Sequence, residues 1–176
     1  MPEDAVAGFD VLVVDDDEAV RDLLAEFCRL RNHSVTTASD GRAAVNELGR
    51  SAGRYRLVLT DVSMPGADGF EVLAAARAAD PTSYVVIITG YASMDSAIQA
   101  VRLGANDYLA KPFTLGQIDV TLERVREREA ARADRLNGTP GRLVDELHGM
   151  SDRIASVEQA VAMMTNALAD LSDRLS

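Results

Sequence analysis

The chain alternates five short apolar, β-branched runs with five longer segments of helical periodicity, and this alternation restricts its fold more than any other feature. The runs lie at 9–14, 34–38, 55–60, 84–89 and 107–110, and the helical segments at 18–32, 41–50, 69–79, 93–104 and 114–136. Repeated strand and helix units of this kind form a doubly wound parallel sheet. The runs VLVV, LVLT and VVII are almost wholly apolar, as expected for central strands covered by helices on both faces. We therefore predict an α/β fold with five parallel strands, in which the more polar run at 34–38 is an edge strand.

The first helical segment has a clear apolar side. Its large apolar residues recur at helical spacing and are expected to face the sheet. They are Leu23, Leu24, Phe27 and Leu30. The single cysteine, Cys28, lies on the same side and is expected to be a small buried hydrophobic residue.

Composition and charge argue against two classes of partner. The net charge is −10, with 18 Lys and Arg residues against 28 Asp and Glu residues, whereas nucleic-acid binding depends mostly on clustered Lys and Arg. No stretch approaches the ~20 apolar residues that a bilayer requires. One cysteine cannot form an internal disulfide, which fits a reducing compartment. We therefore expect a cytoplasmic protein that binds neither nucleic acid nor a membrane.

Polar side chains lie at the ends of four of the apolar runs. The triple aspartate 15–17 follows VLVV, Asp61 follows LVLT, Thr89 lies at the end of VVIIT, and Lys111 follows DYLA. An open parallel sheet builds its binding site beyond the carboxyl ends of its strands, so these residues are expected to converge there. Carboxylates, a hydroxyl and one ammonium group in a single crevice suggest a site for a divalent cation and a phosphoryl group.

The clustered carboxylates also suggest which cation the crevice takes. Carboxylates in one crevice repel each other unless a cation compensates them. Mg²⁺ fits best, because it prefers hard oxygen ligands and is bound through one or two carboxylates together with phosphate oxygens. Ca²⁺ is a weaker candidate, since the sequence has no EF-hand loop. The loop at 62–69, with its glycines and proline, is expected to hold the Asp61 carboxylate exposed above the sheet.

Four segments together resemble the receiver domain of bacterial two-component response regulators. They are VLVVDDDE, LVLTDVSMPGADGFEVL, VVIITGYAS and GANDYLAKPF, and the similarity covers residues 9–125. Each segment lies in order at the expected strand end, and the combination is far more specific than any single motif. The expected fold is therefore the flavodoxin-like sheet with strand order 2-1-3-4-5, followed by a long C-terminal helix.

The resemblance implies a phosphoacceptor and a set of metal ligands. Asp61 would take a phosphoryl group from the phosphohistidine of a histidine kinase. Asp16 and Asp61 would ligate Mg²⁺ directly, while the Ser63 backbone carbonyl and a water held by Asp15 would complete much of the coordination shell. The triple aspartate leaves this assignment open by one residue. The alignment of the strand favours the first two aspartates, with Asp17 as a solvated charge at the helix start.

Further residues receive roles from the same resemblance. Lys111 would act as an electrostatic clamp on the phosphoryl group. Thr89 would donate its hydroxyl to a phosphoryl oxygen once the phosphoacceptor is modified, and Tyr108 would then rotate inward. Tyr91 and Ser63 lie where the family tunes the loss of phosphate. The bulky Tyr91 ring is expected to hinder the attacking water and so give a long-lived phosphoryl state.

The remainder of the chain divides into two parts after the receiver-like segment at 1–125. We expect a charged helical extension and linker at 126–141 and a coiled-coil helix at 142–176, whose apolar residues alternate at spacings of four and three. They are Leu143, Leu147, Met150, Ile154, Val157, Val161, Met164, Leu168, Leu171 and Leu175. This seam predicts a homo-oligomer or the docking of a partner helix, with parallel dimers mildly favoured. An amphipathic helix folded back on its own domain is the alternative.

These features predict a phosphoacceptor switch, with no enzymatic activity beyond self-phosphorylation and self-dephosphorylation. Its output would pass through the coiled-coil helix, because residues 140–176 contain three arginines against six acids and no helix-turn-helix break. The alternative is a transcription regulator, since TGYASMDSAIQAVRLGANDYLAKPF is most similar to the receivers of such proteins. A truncated regulator whose effector domain followed the coil is a further alternative.

Overall fold

The computed structural model describes residues 8–136 and shows a parallel sheet whose strands alternate with helices. The strands are Asp10–Val14 (β1), Ser34–Ala38 (β2), Leu57–Asp61 (β3), Tyr84–Thr89 (β4) and Asp107–Ala110 (β5). The helices are Glu18–Leu30 (α1), Gly41–Ser51 (α2), Gly69–Ala79 (α3), Met94–Arg102 (α4) and Leu115–Leu136 (α5). All strand pairs are parallel, and their order is β2-β1-β3-β4-β5. The predicted α/β fold, strand order and edge position of β2 are confirmed.

Helices cover both faces of the sheet. Because side chains alternate along a strand, each central strand contributes residues to two apolar layers. One layer contains helix residues from α1 and α5, including Leu24, Cys28, Ile118, Leu122 and Val125. The other contains helix residues from α2, α3 and α4, including Leu48, Phe70, Leu73, Ala97 and Ala100. Burial on both faces explains why the sequences of the central strands are continuous apolar runs.

Helix α1 buries only part of the side that was predicted to face the sheet. Leu24 is buried and Phe27 packs against the same apolar layer, but Leu23 is 47% exposed and Leu30 is 73% exposed, so the prediction was wrong for these two residues. Ala25 and Cys28 complete the buried stripe, and Cys28 was predicted on this side. Small side chains at these positions allow α1 to approach the strands closely. Burial also raises the pKa of the Cys28 thiol to about 12, consistent with a hydrophobic residue and not a reactive thiol.

Helix α5 extends well past its apolar face and is attached to the body by polar contacts. Arg56, which precedes β3, pairs with Asp80 at 2.6 Å and with Glu129 at 3.1 Å. One turn further on, Arg132 Nη1 donates to Thr82 Oγ1 at 2.8 Å. These partners lie at the edge of the sheet where β3 and β4 begin, opposite the carboxyl ends. The charged stretch beyond residue 125 is therefore helical to Leu136 and fixed to the domain.

Other predictions concern residues that the structure does not describe. The coiled-coil helix at 142–176 and the linker at 137–141 lie outside the described residues, and the divisions at 125 and 141 stay predictions. Within residues 8–136, no helix is long and apolar enough to cross a membrane.

A buried histidine joins α5 to the start of the sheet. His33 is 4% exposed, and its ring packs at a tilt against the Phe9 ring with 3.9 Å between centroids. The Phe9 N–H donates to His33 Nδ1 at 3.3 Å, and Arg126 Nη2 lies 3.4 Å from Nε2. A protonated ring carries an N–H on each nitrogen, and these would face the Phe9 N–H on one side and the Arg126 guanidinium on the other. Burial, and next the charge of Arg126, lower the pKa of His33 to about 4.

This lowered pKa predicts a loss of stability in mild acid. Unfolded His33 takes up a proton near pH 6.5 and folded His33 only near pH 4, so the stability that it contributes is complete above 6.5 and falls as the pH decreases toward 4. By pH 5.5 the loss from this group is about 1 kcal/mol. Urea unfolding of wild type and His33→Gln at pH 7.5 and 5.5 measures it. An equal pH dependence in both proteins contradicts the assignment.

Candidate functional site

Strand pairing aligns the polar residues that were predicted to converge. Strand β1 ends one residue before Asp15 and β3 ends at Asp61, and the register of these neighbouring strands places the two carboxylates side by side. Thr89 ends β4, and Lys111 follows β5. The Lys111 N–H donates to the Thr89 carbonyl at 2.8 Å, which fixes the backbone from which the lysine side chain extends. All four residues therefore lie at the carboxyl edge of the sheet.

The Lys111 ammonium bridges the two carboxylates. Its Nζ is 2.8 Å from Asp15 Oδ2 and 3.4 Å from Asp61 Oδ2. Burial lowers the pKa of Lys111, but the hydrogen bond and charge of Asp15, followed by those of Asp61, reverse this and raise the pKa above its usual value. The lysine is thus a fixed positive charge in the crevice. The peptide bond between Lys111 and Pro112 is cis.

Asp61 is more enclosed than the sequence indicated. The residue is 7% exposed, whereas the loop after β3 was expected to hold its carboxylate in the open. Its Oδ1 accepts a hydrogen bond from the Val62 N–H at 2.7 Å. Burial raises the pKa of Asp61, Lys111 lowers it, and the like charge of Asp15 raises it again, so that the net direction is upward. The carboxylate is therefore weakly solvated and depends on nearby positive charge.

Asp15, Asp16 and Asp61 can together hold a metal ion. One carboxylate oxygen from each lies within 4.8 Å of the others. Asp15 is buried and Asp16 is exposed, so the group opens to solvent on one side. Such oxygens are the hard ligands that divalent cations such as Mg²⁺ prefer. Asp17 instead caps α1, accepting hydrogen bonds from the Ala19 and Val20 N–H groups.

The loop between β3 and α3 is held tightly against the site. The Gly69 N–H donates to the Val62 carbonyl at 3.1 Å, and Asp68 and Glu71 form a capping box at the start of α3. A Cβ atom at Gly69 would lie 2.1 Å from the Asp61 carbonyl oxygen. Ser63 lies in this loop and is exposed. Only glycine therefore lets α3 begin this close to the end of β3.

The three remaining predicted residues lie beside the acidic group. Thr89 is fully buried, and its Oγ1 accepts a hydrogen bond from the Tyr91 N–H at 3.1 Å. The Tyr91 side chain is 81% exposed at the rim. Tyr108 is 7% exposed, and its hydroxyl lies 2.6 Å from Ser96 Oγ. Tyr108 therefore already lies inward in this structure.

Sequence reasoning missed two residues that shape the site. Gly69 was noted only as one of the glycines of a tight loop, although its proximity to Asp61 requires the absence of a side chain. Ser96 was not singled out. The spacing Ser93-x-x-Ser96 is that of a capping box, which could have marked the start of α4.

A model of the response regulator receiver domain matches residues 11–123. The chain belongs to this family. Among curated relatives, response regulator protein FleR of Pseudomonas aeruginosa is 41% identical over 103 residues, which are 58% of this chain and 21% of FleR. Transcriptional regulatory protein TcrA of Mycobacterium tuberculosis is 37% identical over 123 residues, 70% of this chain and 48% of TcrA. Transcriptional regulatory protein PrrA of Mycobacterium leprae is 33% identical over 150 residues, 84% of this chain and 64% of PrrA.

Solved receiver structures share the fold. A receiver domain protein from Clostridium thermocellum has a TM-score of 0.65 at 26% identity, covering 70% of this chain and 98% of that structure. Chemotaxis protein CheY4 of Vibrio cholerae has a TM-score of 0.61 at 30% identity, covering 68% of this chain and 99% of that structure. These matches confirm the resemblance inferred from the sequence. The aligned part of this chain spans about a fifth to two thirds of the three curated relatives.

The tight contact at Gly69 predicts a large effect from a single methyl group. Gly69→Ala would place Cβ against the Asp61 carbonyl, and we expect a loss of about 3 kcal/mol in the free energy of unfolding. Gly49→Ala is the matched control, because no atom lies within 4 Å of its added Cβ in α2. That control should be stabilised by ~0.5–1 kcal/mol. Urea unfolding measures both, and similar values for the two variants would contradict the packing described.

Proposed function

We propose that this receiver accepts a phosphoryl group on Asp61 from the phosphohistidine of a histidine kinase, in a Mg²⁺-dependent reaction. The observation that carries the proposal is the position of the Asp61 carboxylate between a fixed ammonium group and an acidic cluster. Lys111 Nζ lies 3.4 Å from Asp61 Oδ2, and carboxylate oxygens of Asp15 and Asp16 lie within 4.8 Å of Asp61. A nucleophile and the positive charge needed for phosphoryl transfer are thus in one place.

The transfer would form one bond and break another at phosphorus. An Asp61 carboxylate oxygen attacks the phosphorus, the P–N bond to the kinase imidazole breaks, and the imidazole leaves with the electron pair of that bond. Lys111 stabilises the charge that develops on the phosphoryl oxygens. The Val62 N–H, 2.7 Å from Asp61 Oδ1, restricts rotation of the carboxylate. Burial of Asp61 removes competing water from the nucleophile.

The proposed metal ligands are those expected from the family. Asp16 and Asp61 would bind Mg²⁺ directly, Asp15 would hold one of its waters, and the Ser63 backbone carbonyl would complete the protein ligands. When bound, the cation supplies positive charge that offsets the clustered carboxylates and the incoming phosphoryl oxygens. Such a cation would also offset the repulsion among the clustered carboxylates.

The proposed readout begins at Thr89. Its hydroxyl would donate to a phosphoryl oxygen while it accepts from the Tyr91 N–H, which draws the loop after β4 toward the site. Tyr91 would slow hydrolysis, and the long-lived phosphoryl state expected from its bulky ring stays a prediction. The covalent chemistry of the protein would be limited to gaining and losing its own phosphoryl group. It would share the cytoplasm with its kinase.

Phosphorylation of Asp61 can be tested directly. We expect the full chain to gain one phosphoryl group when incubated with acetyl phosphate and Mg²⁺, and to gain none with excess chelator. Asp61→Asn removes the nucleophile and should abolish the mass increase. Asp17→Asn is the matched control, because Asp17 caps α1 and should leave phosphorylation unchanged. Intact-protein mass spectrometry measures the modified fraction.

Two results would overturn this assignment. A phosphoryl group gained by Asp61→Asn to the same extent as wild type would place the acceptor elsewhere. Equal phosphorylation with chelator and with Mg²⁺ would remove the metal from the reaction. Acetyl phosphate replaces the kinase in this assay, so the kinase itself is tested by transfer from phosphorylated histidine kinases to the same two variants.

For the output we propose self-association or partner docking through residues 142–176. The support is the uninterrupted alternation of apolar residues from Leu143 to Leu175. Transcription regulation is the second candidate, favoured by relatives such as TcrA and PrrA, which are named as transcriptional regulatory proteins. The two outputs differ in whether the partner is a helix or nucleic acid.

These outputs predict different behaviour in solution. The full chain should be larger than a monomer by size exclusion with light scattering, whereas a chain ending at residue 136 should be monomeric, because it lacks the apolar seam. A monomer in both cases would exclude self-association. A phosphorylation-dependent gel shift on specific DNA fragments would instead support transcription regulation.

A further inference from the structure

The start of α4 is built from two serines that bind each other. Ser93 is the N-cap, and its Oγ accepts a hydrogen bond from the Ser96 N–H at 3.1 Å. Ser96 Oγ in turn accepts from the Ser93 N–H at 3.1 Å. This reciprocal pair is a capping box in which serine replaces the usual glutamate. The Ser96 hydroxyl is consequently held at a fixed position at the first turn of α4.

That hydroxyl also binds Tyr108 on the neighbouring strand β5. The two oxygens are 2.6 Å apart, and Tyr108 is packed in the apolar layer beneath α4. A serine oxygen has one proton to donate and two lone pairs to accept. Ser96 Oγ lies 3.0 Å from the Ser93 carbonyl oxygen, to which it can donate. The Ser93 hydroxyl also lies 3.0 Å from Ser96 Oγ, and either oxygen of the Ser96–Tyr108 pair can be the donor.

The start of α4 is therefore connected to the body at two places. One is the Ser96–Tyr108 hydrogen bond to β5. The other is the 3.1 Å hydrogen bond from the Tyr91 N–H to Thr89 Oγ1 at the end of β4. A single residue, Ala92, separates Tyr91 from the N-cap Ser93. Loss of either hydrogen bond leaves the other to hold this end of the helix.

We propose that Ser96 is a positioning residue, which holds Tyr108 inward before phosphorylation and anchors α4 to β5 when Thr89 turns toward the phosphoryl group. The inference rests on the proposed function, because only a phosphoryl group on Asp61 draws the Thr89 hydroxyl toward the site. The loop after β4 then follows Thr89 through the hydrogen bond from the Tyr91 N–H to Thr89 Oγ1. The Ser96–Tyr108 bond then keeps the first turn of α4 in place while the loop before it moves.

The arrangement assigns different tasks to the two switch residues. Thr89 is the part that moves, because its hydroxyl oxygen accepts from the Tyr91 N–H and its proton can turn to a phosphoryl oxygen. Tyr108 is a fixed part, since its hydroxyl is already bound and its ring already buried. The inward rotation of Tyr108 expected from the sequence is therefore not required in this chain.

Amide hydrogen exchange of the full chain tests this division of tasks. Beryllofluoride with Mg²⁺ replaces the phosphoryl group, and its binding is followed by ¹⁹F NMR. In Tyr108→Phe the serine capping box remains but the hydrogen bond to β5 is lost. We expect peptides covering α4 in this variant to exchange about tenfold faster than wild type with beryllofluoride, and to differ little without it.

Further variants separate the hydrogen bond from general effects on α4. Ser96→Ala removes this bond and also the capping contact to the Ser93 N–H, so peptides covering α4 should exchange faster than in Tyr108→Phe, and the double variant should be no worse than Ser96→Ala alone. Ser96→Thr keeps a hydroxyl and should restore protection. Additive effects of the two single changes would contradict the proposal.

The possible failures are distinguishable. If wild type binds no beryllofluoride, the proposed function falls, and this inference falls with it. If wild type binds beryllofluoride and α4 is equally protected in Tyr108→Phe, only the inference is overturned. Equal loss of protection with and without beryllofluoride would show a purely structural bond and would also overturn it.

Discussion

The bridge from Lys111 to Asp15 and Asp61 is the interaction on which the site depends. Two carboxylates that are almost completely removed from water repel each other strongly, and one ammonium group within 3.4 Å of both compensates part of that repulsion. The bridge exists because β1 and β3 are neighbours in the sheet and β5 ends on the same edge. A fold with a different strand order would separate these charges, and the chemistry would be lost with them.

The fold and the position of the site could be predicted because both follow from local patterns. Apolar runs of strand length mark the central strands, and in a parallel sheet the residues after each strand necessarily share one edge. This reasoning located Asp15, Asp61, Thr89 and Lys111 without knowledge of any contact. The family motifs then distinguished the first two aspartates of the triple from Asp17, and the structure places Asp17 as the cap of α1.

Features that depend on packing were not predictable in the same way. The apolar residues of α1 occupy a wider arc than the sheet covers, and packing buries Leu24, Ala25 and Cys28 while Leu23 and Leu30 stay exposed. Likewise, the enclosure of Asp61 depends on how Gly69 lets α3 approach. Two hydroxyl groups that are distant in sequence, those of Ser96 and Tyr108, meet only because α4 lies over β5.

The length of α5 has a mechanical consequence. Its 22 residues span ~33 Å, about twice the length of a five-residue strand, so the helix begins beside Lys111 and ends beyond the opposite edge of the sheet. The pairs made by Glu129 and Arg132 hold the far part of the helix against the edge where β3 and β4 begin. Leu136 therefore lies at the end of the domain that is remote from Asp61, so α5 connects the two ends of the sheet through one continuous helix.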